Sequence, residues 1–411
     1  MNVLVVHNRY REAGGEDRVV DLETTLLNRY GHKVVPYVLD NSAIDGMNPL
    51  VLAGRTVWNH RAYRDVGQLI AHEQIDLVHV HNTLPLASPS IYHAGSAAGI
   101  PVVHTLHNYR LLCPNGVLVR DGSRCVSCVG AAPLPAVWHA CYRSSRAATS
   151  AVAGMLLVHR VLGTWDRKVA AYIAPTEFVR RMFVAGGIPR GRIHVKPHFI
   201  DPDPGMGAGR GGYALYVGRL SSEKGVGTLL DAWERLQQRV PLTIVGDGPM
   251  ATAVAAAAAR LEGITYLGRR DRGDVQALMA EASLLVCPSI FFETFGQVVI
   301  EAFAAGTPVL TTAGGAAAEL VSPGRTGVLV RAGDAADLAR TIDRLFSNDA
   351  ALTSMRPAAR AAYEARFTST ANYRQLMAIY RQARLGVATR VEGAQPGTVL
   401  ERVPASDEAR G

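Results

Sequence analysis

No stretch of the chain approaches 18 uninterrupted apolar residues, which excludes a membrane-spanning helix. The first apolar run, Val3–Val6, stops at His7-Asn8-Arg9 and is too short for a secretory signal. Charged residues make up only 19% of the 411 and hydrophobic residues 48%, so the chain is no disordered scaffold and can bury large cores. Cysteine is scarce, with 5 in all. With no export signal, a reducing, cytoplasmic setting is expected, where disulfides are rare. The chain also lacks the basic-aromatic modules of nucleic-acid recognition, so no nucleic-acid partner is expected.

The formal charge of +8 is unevenly spread. Residues 1–100 hold 8 Lys/Arg against 10 Asp/Glu (−2), residues 101–200 hold 13 against 3 (+10), and residues 201–411 hold 22 against 22 (0). The basic character therefore belongs to one stretch. It suits a polyanionic partner such as lipid headgroups or a diphosphate, or a solvated basic face with no partner.

At roughly 100–200 residues per domain, two domains are expected. The N-terminal half alternates short buried strands with helices: Asn2–His7, Lys33–Val38, Ile75–His81 and Pro101–His107 as strands, Asp17–Tyr30 and Ser88–Ala98 as helices. A Pro/Gly-rich segment, Asp201–Gly212, reads as a linker. The alternation then resumes with strands at Tyr213–Val217, Leu242–Gly246, Ile264–Leu267, Leu284–Cys287, Pro308–Thr311 and Gly327–Val330. Helices are expected between them at Gly227–Arg239, Met250–Arg260, Asp274–Ala282, Gly296–Ala305 and Ala335–Phe346. This pattern predicts an α/β protein of two doubly wound parallel-sheet domains, 1–203 and 204–369, facing a ligand cleft at the carboxyl ends of their strands. A helix over 370–386 is expected to cross back to the first domain, and 387–411 reads as a disordered tail.

The second half carries the sharpest chemistry. In Tyr213–Gly225, Gly218 permits a tight turn at a strand end, Arg219 can fork onto two oxygens, and Lys224 adds a point charge. That set suits a diphosphate, or two surface cations. In Ser289–Gly306, Glu293 precedes a helix and Glu301 lies inside it. Eight residues place the two about 80° apart around a helix axis, so they serve different parts of a ligand. Phe295 and Gly296 open that helix and leave N–H groups to face phosphate.

With Val245-Gly246-Asp247-Gly248-Pro249 and Ala305-Gly306-Thr307-Pro308-Val309, these motifs resemble the retaining glycosyltransferases of family 4, most strongly over 213–332. The resemblance implies the GT-B fold, a nucleotide-diphosphate sugar donor (UDP- or GDP-linked), no catalytic metal, and a glycan or lipid-linked acceptor. It implies that Arg219 and Lys224 neutralise the diphosphate, Glu293 holds the transferred sugar, and Glu301 holds the ribose. By the same resemblance Gly14 and Gly15 approach donor phosphate and acceptor, and His107 stands close to the reacting sugar. His79 and His104 read as packing residues; His81 could line the cleft or pack. No residue near His107 reads as a nucleophile, so front-face transfer is expected, with the leaving diphosphate taking the acceptor's proton. A nucleotide-sugar epimerase of the same fold and a non-catalytic nucleotide-sugar-binding protein are the alternatives.

Two features go beyond those motifs. Cys113, Cys125, Cys128 and Cys141 are separated by 11, 2 and 12 residues, a spacing that suits structural Zn²⁺, reduced thiols, or a disulfide or iron–sulfur cluster. A subset of the family shares this four-cysteine insert over 108–142, and it is expected to shape the acceptor side. In 143–192, basic residues surround the apolar run Ala151–Leu162. It reads either as an interfacial segment at the inner, anionic membrane face or as a buried helix with a solvated rim.

Overall fold

The computed structural model describes residues 1–11, 14–237 and 239–392. Fourteen strands are numbered in chain order: β1 Asn2–Arg9, β2 Lys33–Asp40, β3 Leu77–Val80, β4 Val102–Thr105, β5 Val119–Arg120, β6 Ser123–Arg124, β7 Ala171–Ala174, β8 Ile193–Val195, β9 Ala214–Val217, β10 Leu242–Val245, β11 Ile264–Tyr266, β12 Leu284–Cys287, β13 Val309–Thr312 and β14 Gly327–Val330. They form two six-stranded parallel sheets, ordered β2-β1-β3-β4-β7-β8 and β11-β10-β9-β12-β13-β14, while β5 and β6 make a small antiparallel hairpin.

The strands are apolar at consecutive positions because both faces of each sheet are covered. In the first sheet Leu4, Val6, Val78 and Val80 pack on one face and Val3, Val5, Leu77 and Val103 on the other. The second sheet repeats the arrangement, with Tyr216 and Ile244 opposite Leu215 and Val245. Each sheet reverses its winding once, beside β1 and β3 in the first and beside β9 and β12 in the second. Ligand crevices open at such switch points.

Several elements differ from the sequence reading. The expected strands Ile75–His81 and Pro101–His107 are shorter, ending at Val80 and Thr105, so His81 and His107 lie in the loops beyond the strand ends. Strands β7 and β8 and the helices Pro49–Val57, His60–His72, Glu177–Ala185 and Asp349–Arg366 fall in stretches where no element was expected. The last of these carries Pro357 internally and buries a stripe of Leu352, Met355, Ala359 and Tyr363. The final helix runs from Ser369 to Glu392, past the expected end at 386, so the first residues of the supposed tail are helical. The rest of that tail, 393–411, lies outside the described residues. Leu376, Met377, Ile379, Tyr380 and Ala383 of this helix join the core of the first sheet, so the helix packs back on the first domain.

Candidate functional site

Loops from the carboxyl ends of both sheets meet around a cavity of about 290 Å³. Gly15, Glu16, His107 and His198 line it from the first half, and Lys224, Glu293 and Gly296 from the second. The Lys224 loop reaches this point through Gly225, which has φ +76°; a Cβ there would stand 2.0 Å from the Pro288 carbonyl oxygen. Only glycine allows the two loops to touch. As a result Lys224 Nζ donates to Glu293 Oε1 at 2.8 Å, and Ser289 Oγ donates to the same oxygen at 2.5 Å. Burial alone would raise the Glu293 carboxyl, but the Lys224 charge and these hydrogen bonds hold it below the ordinary range. It is a carboxylate ready to accept hydrogen bonds.

Gly296, at φ +94°, caps the helix Gln297–Ala304, whose first-turn N–H groups face the same side. The Phe295 side chain, by contrast, is buried edge-on to His198 and Phe367.

His107 stands opposite. One of its ring nitrogens, Nε2, is 2.8 Å from His81 Nδ1, and its ring stacks on His198 at 5.4 Å. Burial, then the charges of nearby histidines, pushes its pKa well below the ordinary value, so the imidazole is neutral. His81 does not line the cavity; it is buried beneath His107, with Nε2 3.8 Å from Glu23 Oε2. Glu23 accepts from the fully buried Lys196 Nζ at 2.6 Å, and Asn372 of the last helix accepts from the same ammonium at 3.3 Å. Burial opposes the Glu23 charge, yet Lys196 and His79 hold the carboxyl below its usual range. Glu23, His79 and His81 lie close enough to hold a metal ion. That place is taken: Lys196 already neutralises Glu23, and both His79 nitrogens are engaged, with Thr105 and Tyr380.

Gly14 caps the helix Gly15–Arg29, and its N–H donates to Asp17 Oδ2 at 2.8 Å. A Cβ on Gly15 would meet open space, so this glycine leaves room in the cavity and is not forced by packing. The sequence reading passed over Glu16. Tyr10 Oη and Asn108 Nδ2 donate to its Oε2 at 3.2 and 3.4 Å, and burial pushes its carboxyl up to about 8. Glu16 lines the same cavity as His107 and is the carboxyl of the first half that stands nearest to the role of a nucleophile. At neutral pH it is protonated, which makes it a poor one. Its only sequence signal is its place after Gly14-Gly15 at a helix start.

The two glutamates of the second half part company, as their spacing requires. Glu301 lines a second cavity of about 340 Å³ with Val217, Arg270 and Arg272, and it pairs there with Arg18 of the first half. Sequence reading missed Arg18, because its partner is 283 residues away. Gly218 keeps the β9 turn close to Gly246, where a Cβ would stand 1.9 Å from the Gly218 carbonyl oxygen. The Arg219 side chain is exposed and is not among the residues lining either cavity.

The four cysteines line one small pocket between the β5–β6 hairpin and the helix Leu134–Trp138, and none forms a disulfide. In the basic stretch, the helix Arg146–Val161 buries Val152, Met155, Leu156 and His159. Val158, Val161 and Leu162 stay exposed, as do Leu134, Trp138, Arg143, Arg146 and Arg160. One face of that helix is core, and the other is apolar and basic toward solvent. No helix among the described residues is long and apolar enough to cross a membrane.

Two family models match the chain on either side of the linker: Glycosyltransferase Family 4 over residues 13–204 and Glycosyl transferases group 1 over 211–348. The chain is a glycosyltransferase of the family 4 type, with the α/β GT-B fold. It is 34% identical over 199 residues to the phosphatidyl-myo-inositol mannosyltransferase of Mycobacterium leprae, an alignment covering 46% of this chain and 53% of that one. The chain thus spans about half the length of that relative. Among solved structures, sucrose-phosphate synthase from Thermosynechococcus elongatus superposes with a TM-score of 0.68 at 18% identity, over 93% of this chain and 99% of that one. Anabaena Alr3699/HepE in complex with UDP superposes with a TM-score of 0.65 at 19% identity, over 96% of this chain and 100% of that one.

Proposed function

We propose that the protein transfers a sugar from a nucleotide-diphosphate donor, UDP- or GDP-linked, to a glycan or lipid-linked acceptor, with retention at the anomeric carbon. The observation that carries this reading is the Lys224–Glu293 pair at the start of the Gln297–Ala304 helix, facing His107 across a cavity built by both halves. A diphosphate arriving at Lys224 and the helix N-terminus releases Glu293 to accept hydrogen bonds from the transferred sugar. In the adjoining cavity Glu301 exchanges Arg18 for the ribose diol. Arg219 assists the diphosphate once the ligand draws it in.

Neutral His107 donates or accepts a hydrogen bond to the sugar as positive charge develops. A retaining double displacement needs an ionised nucleophile, with carboxyls about 5 Å apart. The protonated Glu16 does not supply one, so the leaving diphosphate accepts the acceptor's proton. Cations on the diphosphate stabilise it as a leaving group. The names of two similar proteins, a mannosyltransferase acting on phosphatidyl-myo-inositol and a GT-B protein bound to UDP, support a nucleotide-sugar donor and a lipid-linked acceptor. Exposed Trp138, Val158, Val161 and Leu162 among Arg143, Arg146 and Arg160 support peripheral attachment to an anionic membrane.

A panel of UDP- and GDP-sugars, read by thermal stabilisation and by nucleotide release with and without mixed glycan acceptors, tests this. One donor should stabilise the fold, and release should depend on acceptor. An isomerised sugar formed from donor alone would replace the reading with epimerisation.

A further inference from the structure

The segment between β4 and the helix at Arg146 is long and has little regular structure of its own, only the β5–β6 hairpin and the short helix Leu134–Trp138. Irregular segments of this length hold a shape only when something ties them together. Leu106, Tyr109, Leu112 and Leu118 anchor its first part in the core. The remainder converges on sulfur. Cys113 comes from the turn after Tyr109, Cys125 and Cys128 from the strand exit and turn after β6, and Cys141 from the end of the short helix. All four border one small space of about 10 Å³, room for a bare ion or one water.

We infer that Cys113, Cys125, Cys128 and Cys141 bind one structural zinc ion, and that this zinc-tied insert clamps the loop carrying Glu293. The donor set is four thiols, two of them in a Cys-x-x-Cys knuckle, the set that holds closed, structural zinc. No three of the sulfurs lie within 4.8 Å of one another, so the ion draws the thiolates inward when it binds. The clamp is visible in the contacts the insert makes across the cleft. Arg124, next to Cys125, donates to the Ile290 carbonyl at 2.8 Å and stacks its guanidinium 4.6 Å from the Phe292 ring centre. Tyr109 Oη donates to the Glu293 carbonyl at 3.2 Å, and Thr294 Oγ1 donates to the His107 carbonyl at 2.9 Å. The loop bearing Glu293 is thus held on both sides of that residue by the insert and its root. Of these contacts, Arg124 depends on the hairpin that the cysteines fix.

The metal claim is independent of the transferase reading, while the clamp claim deepens it, so their tests read different quantities. Full-length protein purified without chelator should contain about one zinc per chain, with four thiols unreactive to a disulfide reagent until a mercurial releases the metal. Replacement by Co²⁺ should give the visible bands and sulfur-to-cobalt charge transfer of a tetrahedral thiolate site. Four freely reactive thiols without zinc, or bound iron with sulfide, would overturn the metal claim whatever the enzyme's activity. Cys125→Ser with Cys128→Ser should lose the metal; should that variant not fold, the wild-type metal content and cobalt spectrum still decide. For the clamp, mercurial removal of zinc should speed amide exchange over 289–296 by about tenfold or more, while helix Val226–Leu236 is unchanged. Unchanged exchange in that loop would leave a zinc site with no hold on it.

Discussion

The two halves share an architecture and differ in what they bury. Beneath the cleft, the first half buries His7, Asp17, Glu23, His79, His81, His104, Lys196 and His198. Among the described residues the second half buries one charged side chain, Arg356, whose guanidinium donates to the carbonyls of Gly207, Ala280, Ala282 and Ala305. There Lys224, Glu293 and Glu301 line the cavities without being fully buried. The first half instead carries a buried polar network under His107, in which Lys196 pairs with Glu23.

The sharpest way to break this contrast is to unpair the network. Lys196→Met leaves the Glu23 carboxylate buried alone and should cost about 3–5 kcal/mol in denaturant unfolding. Lys196→Met with Glu23→Gln should recover part of that loss. Equal losses in both would show that the pair does not act as a unit.

In the second half, Glu293→Ala should reduce transfer by on the order of 10²–10³ in kcat while nucleotide affinity, read by calorimetry, stays within a few-fold. Undiminished turnover would remove Glu293 from the sugar site.

Glu16 sharpens the contrast through pH. Its folded carboxyl keeps its proton to about pH 8, whereas the unfolded chain releases it near the ordinary 4.5. The native state therefore binds more protons across that window, so this group's contribution is full below pH 4.5 and is lost as pH rises toward 8. Relative to Glu16→Gln, the wild type should lose stability between pH 5 and pH 8; parallel curves would mean that Glu16 is already ionised.

The smallest expected effect concerns the contact between halves. Arg18 and Glu301 are partly exposed, and such pairs contribute about 0.2–1 kcal/mol. If the ribose must displace Arg18, Arg18→Ala should tighten nucleotide binding by up to about fivefold. Weaker binding would make Arg18 part of the nucleotide site.

Much of this was legible from residues. Strand after strand was visible because both sheet faces are buried and apolar runs stand out against Gly-marked turns. Glu293, Glu301 and Lys224 stood out through their motifs, and all three line cavities in the structure. The missed elements carry weak patterns: β7 is four residues inside a basic stretch, and the helix over Asp349–Arg366 hides its apolar stripe among Ala and Arg. Arg18, Glu16 and the stack of His81, His107 and His198 were not visible at all. Their partners come from elements far apart in the chain, and local spacing holds no record of them.

By itself, the sequence determined two α/β halves, a linker and a cluster of four cysteines, since periodicity and residue order are local properties. Tertiary structure alone decided that Glu301 meets Arg18, that Lys224 pairs with Glu293, and that burial raises the Glu16 carboxyl. Those outcomes depend on distance and desolvation, which exist only once the chain has folded.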